Sequence, residues 1–255
     1  MKSRKTGEPA ASIRGVHFSY PQKQDVLRGI DLDVGTGQKI GLIGPNGSGK
    51  TTLFLLLAGV ITPDSGSINL SGSLVLPGKF NPDFGMVFQN PEDQLFNPTV
   101  RDDLAFGLHN LGFKVDEAEK IVRNTLSDLG MEELIDRPPH HLSGGEKRII
   151  SIAGVMIMEP DLIALDEPEA SLDTRSRRRL IKLLQESDET MLIASHDMEF
   201  LLDICDRIIL LDEGVICADG DPHELLGDSR LMDTHGLEKP HSLIPHILPH
   251  HKVNS

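Results

Sequence analysis

Four short apolar runs each end abruptly on a polar residue or a turn. Lys39-Ile40-Gly41-Leu42-Ile43 leads into Gly44, and Met86-Val87-Phe88 into Gln89. Leu162-Ile163-Ala164-Leu165 leads into Asp166, and Met191-Leu192-Ile193-Ala194-Ser195 into His196. Near-continuous runs of this length suit strands buried on both faces of a mostly parallel sheet. Ligands of such sheets bind outside the carboxyl ends of the strands. The four endings are therefore predicted to converge on one site. Between them, Ala118, Ile121, Val122, Leu126 and Leu129 recur at helical spacing, with Gly130 as the stop. This helix belongs to a stretch, about 90–158, that interrupts the strand order as a helical insertion. Residues 13–34 alternate as a small antiparallel sheet, and residues 207–218 read as a hairpin turning at Glu213-Gly214. The fold class is α/β: a mostly parallel sheet core with an N-terminal antiparallel β subdomain and a helical subdomain. No internal repeat is evident.

Composition narrows this picture. A chain of 255 residues suits one large domain with a subdomain. The net charge of −14 argues against sequence-independent binding to DNA or RNA. Arg175, Arg177, Arg178 and Arg179 are expected to form a solvated helix face. No apolar run approaches the ~20 residues of a membrane helix. The basic start, Met1 to Lys5, has no apolar signal core after it. Cys205 and Cys217 are too few for a disulfide framework or a zinc cluster, which suits reduced residues of a cytosolic protein. From 227 to 255 the composition shifts to a tail with Pro240, Pro245 and Pro249 and five of the 11 histidines.

The chemistry lies at the strand endings. Gly44-Pro45-Asn46-Gly47-Ser48-Gly49-Lys50-Thr51 matches G-x-x-x-x-G-K-[ST] between a strand and an apolar helix. Its amides would curl around phosphate oxygens, with the helix aiming its positive end at them. Lys50 would reach the β- and γ-phosphates and Thr51 would ligate Mg²⁺. Thr52, next on the helix, is grouped with these nucleotide-binding residues. Asp166 would hold Mg²⁺ directly or through water, and Glu167 would act as general base or positioner of the attacking water. As structure alone, the two acids read as helix caps. His196 can donate to the γ-phosphate, although a lone His more often serves structure. Gln89 can donate to the water and contact Mg²⁺, or be polar surface. Tyr20, expected in a turn after the first strand-like segment, can stack on adenine, or be an ordinary half-buried ring. Leu142-Ser143-Gly144-Gly145-Glu146 reads first as a helix start, with Ser143 and Glu146 forming a capping box.

Taken in order, Tyr20, the loop 44–51, Gln89, the stretch 142–146, Asp166-Glu167, Ser171-Leu172-Asp173 and His196 resemble the ATP-binding-cassette (ABC) ATPases over roughly residues 12–226. The resemblance implies two cassettes packed head to tail, each ATP lying between one subunit's phosphate loop and the other's signature. Ser143, Gly144, Gly145 and Glu146 would then complete the nucleotide site in trans, and Asp173 would link the two sites. A narrower stretch is similar to the ATPases of energy-coupling-factor transporters: Gln89-Asn90-Pro91-Glu92-Asp93-Gln94-Leu95-Phe96, Pro98-Thr99-Val100 and Ala105-Phe106-Gly107. It implies a surface facing a membrane partner's coupling helices, with Asp93 and Gln94 as contacts. Three positions depart from the family pattern. Glu169 stands where Thr is common, Ser171 where Gly is frequent, and Ile149 where an Arg is usual, the Arg here being Arg148.

The implied function is that of an ATP-hydrolysing importer subunit on the cytoplasmic face of the cell membrane. It would work as a homodimer beneath an integral membrane coupling protein and a substrate-specificity subunit, without nucleic acid. Cobalt or nickel is the expected substrate, with His241, His246, His250 and His251 as weaker support and a polar tail as their plainer reading. A vitamin importer, a soluble non-transport ABC ATPase and an impaired regulatory cassette are the alternatives.

Overall fold

The alternation near the N-terminus builds an antiparallel sheet. In the computed structural model, which describes residues 9–244, β1 (Ala11–Tyr20) pairs antiparallel with β2 (Lys23–Val34). The chain then crosses to a second sheet through β3 (Lys39–Ile43) and enters α1 (Lys50–Leu57). It returns through β4 (Ser65–Leu70) and β5 (Ser73–Leu74), which complete a sheet of order β2-β1-β4-β5. β6 (Phe84–Val87) rejoins the second sheet. Three helices follow before the next strand: α2 (Val100–Asn110), α3 (Val115–Asp128) and α4 (Gly144–Met156). After them come β7 (Leu162–Asp166), α5 (Thr174–Glu186), β8 (Met191–Ala194), α6 (Met198–Ile204), β9 (Arg207–Asp212) and β10 (Val215–Gly220). The last helices are α7 (Pro222–Gly227) and α8 (Ser229–Thr234).

The second sheet has the order β10-β9-β3-β8-β7-β6 and is parallel except for the β9–β10 hairpin. Its inner strands are largely apolar because both faces are covered. Ile163, Leu165, Met191, Ile193, Ile208 and Leu210 pack into the cluster beneath the helices. Their alternates, Leu162, Ala164, Leu192, Ala194, Ile209 and Leu211, pack toward α1 and the antiparallel sheet. This period of two is what a strand between two layers requires. In α3, Ala118, Val122 and Leu126 are buried, and Gly130 at φ 60° ends the helical run in the left-handed region that favours glycine.

Three expectations are corrected. Tyr20 closes β1 rather than sitting in the turn after it. The arginines of α5 are not simply a solvated face. Arg177 pairs with Asp197 at 2.9 Å and lies over the Phe200 ring, while Arg179 donates to the Leu129 carbonyl. The third correction concerns the boundary expected at 226/227, which falls inside α7. Met232 and Leu237 are buried in the same core cluster as Leu226. His235 Nδ1 meets Asp212 Oδ2 at 2.7 Å, and Glu199 accepts from the Ser242 amide and hydroxyl at 2.9 and 2.7 Å. Apolar burial thus carries the domain past the expected tail. Pro245, Pro249, His246, His250 and His251 lie outside the described residues.

Truncating a buried Met removes apolar contact and leaves a cavity. Met232→Ala is expected to lower the unfolding free energy by about 2–5 kcal/mol in urea titration. An unchanged midpoint would mean that α8 adds nothing to the core.

Candidate active site

The loop after β3 is shaped by a glycine that admits no side chain. Gly44 has φ 148°, and a Cβ there would lie 1.9 Å from the Leu211 carbonyl oxygen. The loop ends at Gly49, the N-cap of α1, where no side chain caps the helix and no acid occupies its first turn. The first amides of α1 are therefore available to an anion. Ser48 Oγ is buried without a hydrogen-bond partner. Lys50 is also buried, and its Nζ donates to the Gly44 and Pro45 carbonyls at 2.7 and 3.1 Å. Burial pushes its pKa down, opposed by the charges of Glu167 and Asp166. This cradle of open amides, an orphaned hydroxyl and a desolvated ammonium fits a polyphosphate.

The strand endings converge as the apolar runs predict. Thr51 Oγ1 donates to Asp166 Oδ2 at 2.9 Å. Burial raises the Asp166 pKa, and the Thr51 hydrogen bond works against that rise. Glu167 sits at φ 46°, a left-handed conformation rare outside glycine. Its amide is held by the Ala194 carbonyl at 2.9 Å. One carboxylate oxygen lies 3.2 Å from His196 Nε2, and the other accepts from Gln89 Nε2 at 3.3 Å. Tyr20 packs edge-on to Phe18, and its hydroxyl is 3.3 Å from Thr52 Oγ1. Tyr20, Asn46, Gly47, Gly49, Lys50, Thr51, Thr52, Gln89, Asp166, Glu167 and His196 all line one cleft of about 350 Å³. Thr51, Asp166 and the Gln89 amide form an all-oxygen donor set, which suits a hard divalent cation such as Mg²⁺.

Ser143, Gly144, Gly145, Glu146 and Asp173 do not line that cleft. Ser143 caps α4 in a capping box: Glu146 accepts from the Ser143 amide and hydroxyl, both at 2.7 Å, and the Glu146 amide donates to Ser143 Oγ at 3.3 Å. Those bonds from Ser143 hold the Glu146 carboxyl below its usual range. Asp173 caps α5, accepting from the Arg175 and Ser176 amides at 2.8 and 2.9 Å. The two caps touch, since a Cβ on Gly145 would lie 2.1 Å from Ser176 Oγ.

Several residues of the site escape a reading of the sequence. Arg148 is 2% exposed and donates to the carbonyls of Phe88 (2.8 Å) and Gln89. It therefore supplies the link between α4 and the Gln89 segment, while Ile149 is an apolar core residue. The available signal was a charge at the start of the stripe Arg148, Ile152, Val155, at i, i+4 and i+7. Its neighbour Lys147 pairs with Glu92 in the same segment. Lys23 Nζ donates to the Gly47 carbonyl at 2.9 Å. Ser171 has φ 62°, in the left-handed region that favours glycine. Gln94 turns inward, accepting from the Phe88 amide and donating to the Met86 carbonyl, both at 3.0 Å. Of the two expected partner contacts, only Asp93 is exposed.

Comparison with known proteins gives a consistent answer. The ABC transporter family matches residues 27–170. A putative ABC transporter ATP-binding protein of Synechocystis sp. is 46% identical, covering 92% of this chain and 83% of its own. The energy-coupling factor transporter ATP-binding protein EcfA of Methanothermobacter thermautotrophicus is 41% identical, covering 89% of this chain and 76% of its own. The solved structure of cbiO1 from Clostridium perfringens, described as part of the ABC transporter complex cbiONQ, superposes with a TM-score of 0.75 at 32% identity. It covers 89% of this chain and 94% of that one.

Replacing Arg148 removes the donor that its buried guanidinium supplies to two part-buried carbonyls. Arg148→Met is expected to cost about 2–4 kcal/mol of stability in chemical denaturation. A loss below about 0.5 kcal/mol would mean that the Phe88 and Gln89 carbonyls find other partners.

Proposed function

Because this chain belongs to the ABC transporter family of ATP-hydrolysing subunits, we propose that it energises an energy-coupling-factor type importer from the cytoplasmic face of the membrane. It works as a homodimer beneath an integral membrane coupling protein and a substrate-specificity subunit, and acts on no nucleic acid. The transported substrate is a transition-metal ion, cobalt or nickel, with a vitamin as the second reading. The likeness to EcfA and to cbiO1 supports the importer class.

In this mechanism the backbone N–H groups of the 44–51 loop, Pro45 excepted, and the Lys50 ammonium bind the phosphates of ATP, and Tyr20 meets the adenine. Thr51, Asp166 and Gln89 are the residues that would hold Mg²⁺, which when bound neutralises charge on the β- and γ-phosphates. Glu167 orients the attacking water and accepts its proton. His196 and Gln89, one on each carboxylate oxygen, keep Glu167 on that line. Ser143 and the Gly144 and Gly145 amides come from the second subunit. That none of the three lines this chain's own cleft supports that arrangement. On arrival of the phosphate, the Ser143 hydroxyl exchanges Glu146 for the γ-phosphate. Asp173, at the adjoining cap, carries the change between the two sites.

One observation carries the membrane partner. A second cleft, about 320 Å³, lies between Phe88, Leu95, Phe96, Phe106, Gly107 and Met158. Phe96 and Phe106 meet edge to face at 5.3 Å yet remain 64% and 47% exposed, and Phe80 on the same rim is 66% exposed. Clustered exposed aromatics of this size mark a docking surface. The groove adjoins the Gln89 segment, so a helix seated there would press on the hydrolytic site. Among the described residues no helix is long and apolar enough to cross a membrane, so the membrane-spanning part belongs to other chains in this proposal.

The double substitution Phe96→Asp and Phe106→Asp tests the groove. ATP hydrolysis by the isolated chain is expected to persist, while copurification with an integral membrane protein is lost. Undiminished membrane recovery, or copurification of the unaltered chain with ribosomes or DNA instead, would overturn the importer reading.

A further inference from the structure

Glu169 follows Pro168 in the loop after β7, and the hydrolytic chemistry above leaves it unused. One of its carboxylate oxygens accepts from the Ser195 hydroxyl, and the other is buried without a partner. Ser195 is itself fully buried and accepts from the Asp197 amide at 2.9 Å. Its hydroxyl is thus gripped from both sides. The next residue is His196, whose ring reaches Glu167 at 3.2 Å. The charges and titratable groups facing Glu169 are Glu167 on its own loop, Asp197 and Cys205 at the two ends of α6, and Arg148 from α4. Asp197 is in turn paired with Arg177 of α5.

We propose that Glu169 is a positioning residue for ATP hydrolysis, which fixes His196 against Glu167 through Ser195 when its carboxylate is ionised. An ionised carboxylate accepts a charge-assisted hydrogen bond, roughly twice as strong as a neutral one. In the neutral acid the proton sits either on the oxygen that faces Ser195, in competition with its hydroxyl, or on the oxygen that has no partner. The end of β8, and with it the imidazole, is then held more weakly. Burial, chiefly, pushes Glu169 up to about 7, so the tether tightens as pH rises through neutrality. The same rise in pKa means that the folded chain binds this proton more tightly than the unfolded one. Its stabilising contribution is complete below the ordinary carboxylate range and is lost as pH climbs through about 7. Tighter geometry and lower stability are therefore predicted on the same alkaline side.

The test is ATP hydrolysis by the full chain from acid to alkaline pH, comparing wild type, Glu169→Gln, Ser195→Ala and the double variant, with thermal unfolding at each pH. The proposal requires only the hydrolytic activity and stands apart from the importer reading. Glu169→Gln is expected to lower kcat on the order of tenfold on the alkaline side, with KM for ATP nearly unchanged. It also flattens the rise in rate near neutrality. The double variant is expected to be no slower than either single one, because both act through one hydrogen bond. Relative to wild type, Glu169→Gln should gain in melting temperature as pH rises. A wild-type pH profile in Glu169→Gln, an effect on KM alone, or additive losses with Ser195→Ala would each overturn the proposal. If Glu169→Gln does not fold, Ser195→Ala decides: an unchanged kcat in that variant overturns it.

Discussion

Lys50 and Asp166 are buried opposite charges, each held by the fold rather than by the other. Lys50 donates to the carbonyls of its own loop, and Asp166 accepts from Thr51. Desolvating such groups is costly unless the site later returns a strong electrostatic interaction. A polyphosphate with its cation supplies one, so the architecture around the pair is built to hold both charges in place before the ligand arrives. That demand explains the two-sided apolar sheet, in which β7 ends at Asp166 and β3 leads into the loop before Lys50. It also explains why Gly44 must pass against the Leu211 carbonyl and why Glu167 is kept at φ 46°.

A second constraint joins the two faces of the chain. The helix that begins at Ser143 grips the Gln89 segment with Arg148 and Lys147, and its first turn touches the cap of α5 through Gly145 and Ser176. A displacement at the start of α4 would therefore bear on Gln89 and, through it, on Glu167. The aromatic groove adjoins the same segment. A partner pressing on Phe96 and Phe106, and a second subunit approaching Ser143, would act on one rigid unit.

Much of the fold was legible because the sheet is covered on both faces, which leaves unbroken apolar runs with sharp polar endings. The capping box at Ser143 and the stop at Gly130 were equally plain, being local backbone requirements. The C-terminal boundary was not, since prolines and histidines obscured Met232 and Leu237, whose burial depends on α7 and the sheet. In the site, the loop and strand-end residues came from spacing. The roles of Arg148 and Glu169 did not, because the burial of each charge depends on packing between segments distant in sequence. Ser171 and Ile149 read as departures, yet the packing turns the second into an exchange of duty with Arg148.

In the proposed homodimer each hydrolytic site is shared between two chains. The direct measurement is ATP hydrolysis after mixing two inactive variants, one carrying Lys50→Ala and the other Ser143→Arg. In a mixed pair, one site combines an intact phosphate loop from the second chain with an intact signature from the first. The account predicts that hydrolysis returns on mixing, although neither variant hydrolyses ATP alone. Mixed dimers that form and remain inactive would contradict it.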